Sequence, residues 1–254
     1  MTANVAPASG FREWAPRVWP LVIFVALLLS LALAVSLVIR FWDVDLATAK
    51  VWWHKPRLWF GMRSALCQAL NDYSPVLAAL VAIGAGLVGL MAIFRKSWRH
   101  LGPPALYLVL AYLLGPGLLV NGLLKHSWNR ARPKDVVEFG GHQHYERVFL
   151  HDPASVGRSF PSGHASAAFY LCSLGFAAAV WGRRENMYAG LAFGVAWGTL
   201  VSWSRVASGA HFLSDVFWSA ALVNVVNAGV LAAMLPWSRP SVPHTEDSPL
   251  AQFS

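Results

Sequence analysis

The chain has 254 residues, of which 56% are hydrophobic and 13% charged, with a net charge of +8 and a mean hydropathy of +0.48. Soluble domains carry about 25% charged residues, so the composition excludes a soluble protein and predicts a single integral membrane domain over residues 1–254. The cations are scattered among apolar runs, which favours a membrane surface or an anionic partner over nucleic acid.

Six apolar runs each approach the roughly 20 residues that a helix needs to cross about 30 Å of hydrocarbon. They cover residues 20–39, 76–94, 103–124, 162–181, 187–203 and 212–235.

We interpret the first run as an uncleaved span. A signal peptide, with Ala47-Thr48-Ala49 at its cleavage site, is the alternative, but the run is too long for an h-region and Asp43 and Asp45 intervene. The sequence therefore predicts an all-α fold, a six-helix transmembrane bundle.

Residues 41–75 combine aromatic side chains with charges, which is typical of a membrane interface. The aromatic residues are Trp42, Trp52, Trp53, Trp59 and Phe60. One helical face carries Leu58, Met62, Ala65, Leu66, Ala69 and Leu70. This pattern predicts an interfacial amphipathic segment that anchors the protein, with a substrate-binding role for the aromatic residues as the alternative.

Short basic turns at 95–100 and 182–186 indicate the orientation, because short basic loops mark the cytoplasm. Six spans would place both chain ends on that same side. We therefore expect residues 1–18 to be a cytoplasmic N-terminal segment and residues 236–254 a flexible cytoplasmic tail. Cys67 and Cys172 have no metal-binding or disulfide spacing and are interpreted as packing residues.

The same alternation brings polar residues from distant parts of the chain to the outer membrane face, at the ends of four predicted helices. These residues are Lys125, Arg132, Ser162, His164, Arg205, His211 and Asp215. A helix end avoids most of the roughly 2.5–3.5 kcal/mol that a charge at mid-bilayer costs. If the chain is helical from Phe212 onward, His211 and Asp215 share a face. Three cations and two histidines at this depth suit an anionic lipid headgroup.

The spacing of these residues is specific. Lys125 precedes Arg132-Pro133 by six intervening residues, and Pro161-Ser162-Gly163-His164 forms a second element. The third element is Ser204-Arg205, five residues, His211, three residues and Asp215. Together they resemble, without a mismatch, the three signature motifs of the type-2 phosphatidic acid phosphatase family. The resemblance covers about residues 76–235.

The resemblance implies a phosphatase that needs no metal or cofactor and works through a phosphohistidine. Carried over by position, His211 is the nucleophile, Asp215 orients and charges it, and His164 protonates the leaving oxygen and then activates water. The groups that would hold the phosphoryl oxygens are Lys125, Arg132, Arg205, the Ser162 hydroxyl and the Gly163 backbone N–H. Such an arrangement suits phosphoryl transfer, which depends on positioning and on neutralising charge.

Each residue also has a plainer interpretation. Lys125 and Arg132 fit interfacial anchors, Ser162 fits a helix cap, and His164 fits a hydrogen-bonded core histidine. Arg130 and Lys134 flank the first motif and are candidates for gripping a diphosphate or facing acidic lipids. A metal bound by the histidines of the 142–151 loop with Asp152 is the weakest alternative, because the ligand spacing is irregular.

We therefore expect hydrolysis of a lipid phosphomonoester or diphosphate at the periplasmic face of a bacterial inner membrane. The candidate substrates are undecaprenyl diphosphate, lipid A, phosphatidylglycerophosphate and phosphatidic acid. Glu138-Phe139-Gly140-Gly141 resembles bacterial members that act on lipid A.

A phosphotransferase with a lipid acceptor would share every catalytic residue. A vanadate haloperoxidase resembles the same motifs but is soluble, and a transporter would place charges at mid-span. The sequence predicts no oligomeric state.

Overall fold

Helices dominate the structure, a computed structural model that describes residues 9–55, 58–150, 155–182 and 184–237. The α-helices in these ranges are α1 (Ser9–Phe41), α2 (Val44–Trp52), α3 (Phe60–Arg63), α4 (Ala65–Phe94), α5 (Gly102–Tyr112), α6 (Lys125–Ser127), α7 (Gly163–Phe169), α8 (Ser173–Trp181), α9 (Arg184–Ala207) and α10 (Leu213–Met234). A hairpin of β1 (Trp53–Lys55) and β2 (Leu58–Trp59) pairs Trp53 with Trp59. The protein is thus an all-α polytopic membrane protein, as predicted.

Five helical segments are long and apolar enough to cross a membrane. They are Pro16–Phe41, Ala65–Phe94, Lys96–Ser127, Gly163–Trp181 and Leu213–Met234. The predicted fifth span corresponds to α9, which has 24 residues but is not among these five because its mean hydropathy is lower. At 1.5 Å per residue α9 is about 36 Å long, so its length suits a crossing. The count of six spans stays a prediction.

The third span contains Gly115-Pro116-Gly117 and departs from regular α-helix around this stretch. The chain runs from α5 into wider π-helical turns over Leu113–Leu124, and α6 follows directly. Proline has no N–H to donate and its ring crowds the preceding turn, so a regular α-helix is disfavoured here. The Asn121 side chain instead donates to the Pro116 carbonyl at 2.7 Å.

The helices pack as antiparallel neighbours around α7 and α8, most of whose residues are buried. The N-terminal part of α1 lies beside the C-terminal part of α10, where Val18 and Leu231 line one cavity. At the other end of the same pair, Asp45 in α2 contacts Ser214 in α10. The chain therefore enters and leaves this bundle at the end opposite to the His211 loop.

Residues 41–75, predicted to be an interfacial amphipathic segment, form several short elements and no continuous helix. They fold into α2, the β-hairpin, α3 and the start of α4, which Ser64 caps by accepting from the Cys67 N–H at 3.3 Å. Trp59 is fully buried against Phe139 and is not an interfacial anchor. Packing of the aromatic side chains therefore decides the local structure more than the helical spacing of the apolar residues does. The sequence also has Pro56 in this segment, and proline disfavours a continuous helix.

Other boundaries also moved. The second span begins at Ala65, eleven residues before the predicted start, because polar residues such as Asn71 pack inside the bundle. The first helix already begins at Ser9, within the segment predicted to precede the membrane. Residues 1–8 and 238–254 lie outside the described residues, so the predicted flexible tail stays a prediction. Cys67 and Cys172 are both free and buried, as expected of packing residues.

Candidate active site

The predicted site residues lie at one end of the bundle, where α6 and α9 end and α7 and α10 begin. A Cβ atom on Gly163 would lie 3.1 Å from Lys125 Nζ and 2.6 Å from Asn121 Oδ1. Glycine at this position therefore allows the start of α7 to approach the Lys125 amine closely. Helix N-termini present free N–H groups and a partial positive charge, so this junction favours an anion.

Three cations face this junction, and the charged neighbours of Lys125 and Arg205 within the described part of the chain are other cations. Lys125 is close enough to interact electrostatically with Arg132 and Arg205, and also with the exposed Arg158. The Arg205 Nε atom is buried and has no hydrogen-bond partner among the described residues. A buried unpaired donor is costly unless a ligand satisfies it, and a phosphoryl oxygen is the matching acceptor. Arg158 was not identified from the sequence, because it belongs to none of the motifs.

His211 lies in the loop between α9 and α10 and is almost fully buried. Its Nδ1 atom is 2.7 Å from the carbonyl oxygen of Ser159. A carbonyl oxygen only accepts, so Nδ1 carries the proton in this contact and the lone pair lies on Nε2. Burial lowers the pKa of His211 to about 4, with Arg205 and Lys125 acting in the same direction and Asp215 opposing them. The ring is therefore neutral and nucleophilic at neutral pH.

Asp215 contacts His211 less directly than the sequence predicted. Its Oδ2 atom is 3.7 Å from His211 Nδ1, beyond hydrogen-bond length, because α10 begins only at Leu213 and His211 precedes it. The same Oδ2 accepts from the Ser159 hydroxyl at 2.6 Å and from the Phe212 N–H at 2.8 Å. Ser159 thus joins Asp215 to His211 through its hydroxyl and its carbonyl. Nothing in the sequence pattern singled out this serine.

Ser162 caps α7, as its plainer interpretation predicted. Its Oγ atom accepts from the Ala165 N–H at 3.3 Å, and its backbone N–H donates to Ser219 Oγ at 2.8 Å. The cap uses only an acceptor position of the hydroxyl, so the O–H remains available as a donor to a phosphoryl oxygen.

His164 lies one residue into α7 and interacts electrostatically with Arg205 and His211. Its ring also lies close enough to the backbone of Asn71 in α4 to interact with it. The Asn71 side chain is held in turn, because its Oδ1 accepts from Ser204 Oγ at 2.6 Å. A sequence separation of 93 residues concealed this partner. The two histidines share one site, but His211 contacts the Ser159 carbonyl and His164 the Asn71 backbone.

Arg130 was expected to face a diphosphate or acidic lipids, and this expectation is wrong. Its side chain is 1% exposed and donates from Nη1 to Asp215 Oδ1 at 2.5 Å and from Nη2 to Asp45 Oδ2 at 2.8 Å. Burial by itself would lower the pKa of Arg130, but Asp215 and Asp45 raise it above its ordinary value. Lys134 remains exposed, and its backbone N–H donates to the Gly209 carbonyl at 3.0 Å.

A metal site is not assembled by the described residues, where no three His, Cys, Asp or Glu side chains converge. His142 and His144 are exposed, and the other two predicted partners, His151 and Asp152, lie outside the described residues.

A family model described as the PAP2 superfamily matches residues 104–239, more than half of the chain. This chain belongs to the PAP2 superfamily. The protein is therefore a phosphatase, as the family resemblance implied. The PAP2 match contains all eight predicted site residues, whereas Asn71 and Asp45 lie before it.

Three relatives share sequence with this PAP2 chain. A lipid A 4'-phosphatase of Francisella tularensis subsp. novicida is 29% identical over 164 residues, covering 64% of this chain and 71% of the relative. Lipid A 4'-phosphatases of Rhizobium etli and Rhizobium leguminosarum are each 37% identical, over 49% and 48% of this chain and 46% and 50% of the relatives. The chain thus spans about half the length of the two rhizobial proteins. No solved structure shows significant similarity to it.

Proposed function

We propose that the protein hydrolyses a phosphate monoester on lipid A at the periplasmic face of a bacterial inner membrane. The neutral His211 ring beside three unneutralised cations is the observation that carries the phosphatase chemistry. Lipid A is favoured among the lipid phosphates because three relatives bear the name lipid A 4'-phosphatase.

The reaction proceeds in two steps. His211 Nε2 attacks phosphorus while His164 donates a proton to the departing sugar oxygen, so a phosphohistidine and an alcohol form. His164, now neutral, takes a proton from water, which attacks the phosphohistidine and releases inorganic phosphate and the free His211 ring. Lys125, Arg132 and Arg205 neutralise the equatorial oxygens in both steps, assisted by the Ser162 hydroxyl and the Gly163 N–H. No metal enters either step.

Phosphate release by the purified protein tests this function. Lipid A, undecaprenyl diphosphate, phosphatidylglycerophosphate and phosphatidic acid are compared in mixed micelles, each with and without EDTA. We expect the highest kcat/KM for lipid A and no loss with EDTA. Phosphate release from lipid A at background level, with another lipid turned over, would disprove the substrate assignment. An acceptor lipid added in parallel distinguishes a phosphotransferase, in which phosphate moves to the acceptor and little is released.

The two histidines are tested separately by rapid quench. We expect His211→Ala to form no phosphoenzyme at all. We expect His164→Ala to slow phosphoenzyme formation by about 10²–10⁴-fold on an alkyl phosphate, the usual range for a general acid. That loss should shrink on an aryl phosphate, whose oxygen leaves without protonation. Equal slowing for both substrates would contradict the role of His164, and an acid-labile phosphoenzyme in His211→Ala would place the nucleophile elsewhere.

A further inference from the structure

Asp45 lies in α2, well before the residues that match the family model, yet it is fully buried against the active site. Its Oδ1 accepts from the Ser214 N–H at 2.9 Å, and its Oδ2 accepts from the Ser214 hydroxyl at 2.6 Å. Ser214 is the second residue of α10, so Asp45 satisfies one of the free N–H groups of that helix start. A carboxylate is also favoured there by the helix dipole.

Arg130 connects this carboxylate to Asp215. Its guanidinium donates from one terminal nitrogen to Asp45 at 2.8 Å and from the other to Asp215 at 2.5 Å. The remaining Nε donates to the Glu146 carbonyl at 3.0 Å, and the guanidinium carbon lies 4.6 Å from the centre of the Phe212 ring. Nη1 also donates to the Ser214 hydroxyl at 2.8 Å. These contacts are shielded from water, and the two carboxylates supply the charged ones among them.

The charge balance of this group affects His211. One guanidinium is shared by two carboxylates, so the buried group keeps a net negative charge next to the His211 ring. That ring gains positive charge when Nε2 bonds to phosphorus, and a negative charge nearby stabilises it. The other charged or titratable groups that face the ring are Arg205, Lys125 and His164, of which the two cations act in the opposite sense.

We propose that Asp45 is a positioning residue of the phosphatase reaction, which holds Arg130 and Ser214 so that Asp215 keeps its place and its charge beside His211. This inference rests on the proposed phosphohistidine chemistry. Without the Asp45 charge, Arg130 pairs with Asp215 alone and cancels the field that the nucleophile needs. Asp45 has no contact with Lys125, Arg132 or Arg205 in its hydrogen bonds and ion pairs, so binding of the substrate phosphate should not depend on it.

Asp45→Asn is the decisive variant, and Asp43→Asn is its matched control. Asp43 lies two residues earlier and is 55% exposed, and its ion pair with Arg147 at 2.9 Å lies at the surface. Both changes remove one negative charge from the same segment. We expect Asp45→Asn to lower kcat by about 10- to 100-fold and to leave KM within about twofold. The range is the one typical of residues that orient a metal-ligating side chain, here applied to a residue that orients Asp215. Asp43→Asn should keep both constants, and Asp45→Glu should recover part of the lost kcat.

A double-mutant cycle separates positioning from simple stabilisation. If Asp45 acts through Asp215, Asp45→Asn should slow phosphoenzyme formation little further when Asp215→Asn is already present. Additive losses, a wild-type kcat, or a change confined to KM would each overturn the inference. Where the loss of kcat matches a loss of folded protein, measured by circular dichroism and size exclusion, a second variant decides.

Ser214→Ala covers the case in which Asp45→Asn does not fold. It removes the hydroxyl that donates to Asp45 at 2.6 Å and accepts from Arg130 at 2.8 Å but leaves both carboxylates, and we expect a several-fold lower kcat at wild-type KM. Full activity of folded Ser214→Ala would then reject the positioning role. Wild-type protein that forms no phosphoenzyme would instead reject the proposed function, so the two failures are distinguishable.

Discussion

At the scale of single residues, the orientation of His211 depends on a backbone atom. The sequence indicated a direct contact with Asp215 four residues later, whereas the Ser159 carbonyl holds Nδ1 and the carboxylate lies 3.7 Å away. A carbonyl fixes the tautomer without adding charge. The negative charge near the ring comes from Asp215, whose Oδ2 accepts from the Ser159 hydroxyl. Motif spacing selected the candidate site residues, and the structure brings them to one end of the bundle, while their catalytic roles stay a prediction. Their hydrogen-bond partners were not readable from the sequence, because Ser159 reaches the site by the path of a loop.

The tautomer of His211 can be measured directly. In protein labelled with ¹⁵N-histidine, the His211 ring should show a protonated Nδ1 and an unprotonated Nε2 from about pH 8 down to about pH 5. Because burial lowers its pKa to about 4, the ring should take up a second proton only below that range. The spectrum of His211→Ala assigns the signal. A His211 signal that titrates near the ordinary value of about 6.5 would contradict the buried, neutral nucleophile.

At the scale of elements, residues of the segment from α2 to α3 pack against both ends of the His211 loop. Trp59 packs between Phe139 and the turn at Gly209, and Asp45 holds the start of α10. Trp59 of this segment is a core residue, whereas Trp42 stays exposed, so membrane anchoring by the other aromatic side chains stays a prediction. Membrane anchoring and core packing use the same residue types, so composition alone does not distinguish them. Only the contacts to residues 80 to 170 positions away identify this packing.

Gly209→Ala tests whether this packing is needed. Gly209 has a φ angle of 63°, and a Cβ atom would overlap the Trp59 indole. We expect a loss of about 2–4 kcal/mol in stability, of which about 1 comes from the backbone and about 1–3 from the overlap. Thermal unfolding in detergent and phosphate release should both decline.

Gly84→Ala is the matched control for that substitution. Gly84 lies within α4, and a Cβ atom there would meet nothing within 4 Å. Alanine is the better helix former by up to about 1 kcal/mol, so stability should stay equal or rise. If Gly209→Ala unfolds no earlier than Gly84→Ala, the packing of Trp59 beneath the turn is not needed.

At the scale of the whole molecule, the alternation of apolar runs was enough to bring the three motifs together. Helix ends on one side of a membrane meet regardless of their sequence separation, and the ends of α6 and α9 and the starts of α7 and α10 do so here. The exact span boundaries were less predictable. The half-buried Asn71 and the buried Ser74 lie in the part of α4 that precedes the apolar run, where neighbouring helices contact their polar side chains.

Orientation is the remaining property of the whole molecule, and cysteine labelling can test it. Cys67 and Cys172 are buried, so wild-type protein should resist a membrane-impermeant maleimide. Ser97, Glu185 and His142 are exposed and can each be replaced by cysteine. Because the basic turns mark the cytoplasm, we expect His142→Cys to react in cells with a permeable outer membrane and the other two variants only after lysis.

Each result of this labelling has a clear meaning. Reaction of Ser97→Cys and Glu185→Cys in intact cells, with His142→Cys protected, would place the site in the cytoplasm and contradict the proposed periplasmic reaction. Different sidedness of Ser97→Cys and Glu185→Cys would contradict the antiparallel bundle itself, since α4 and α8 end on the same side in the structure. If the reaction takes place outside the cytoplasm, the three cations of the site lie on the outer face. The loop that carries His142 then lies on that face as well. The labelling pattern and phosphate release from substrate supplied on that face should therefore agree.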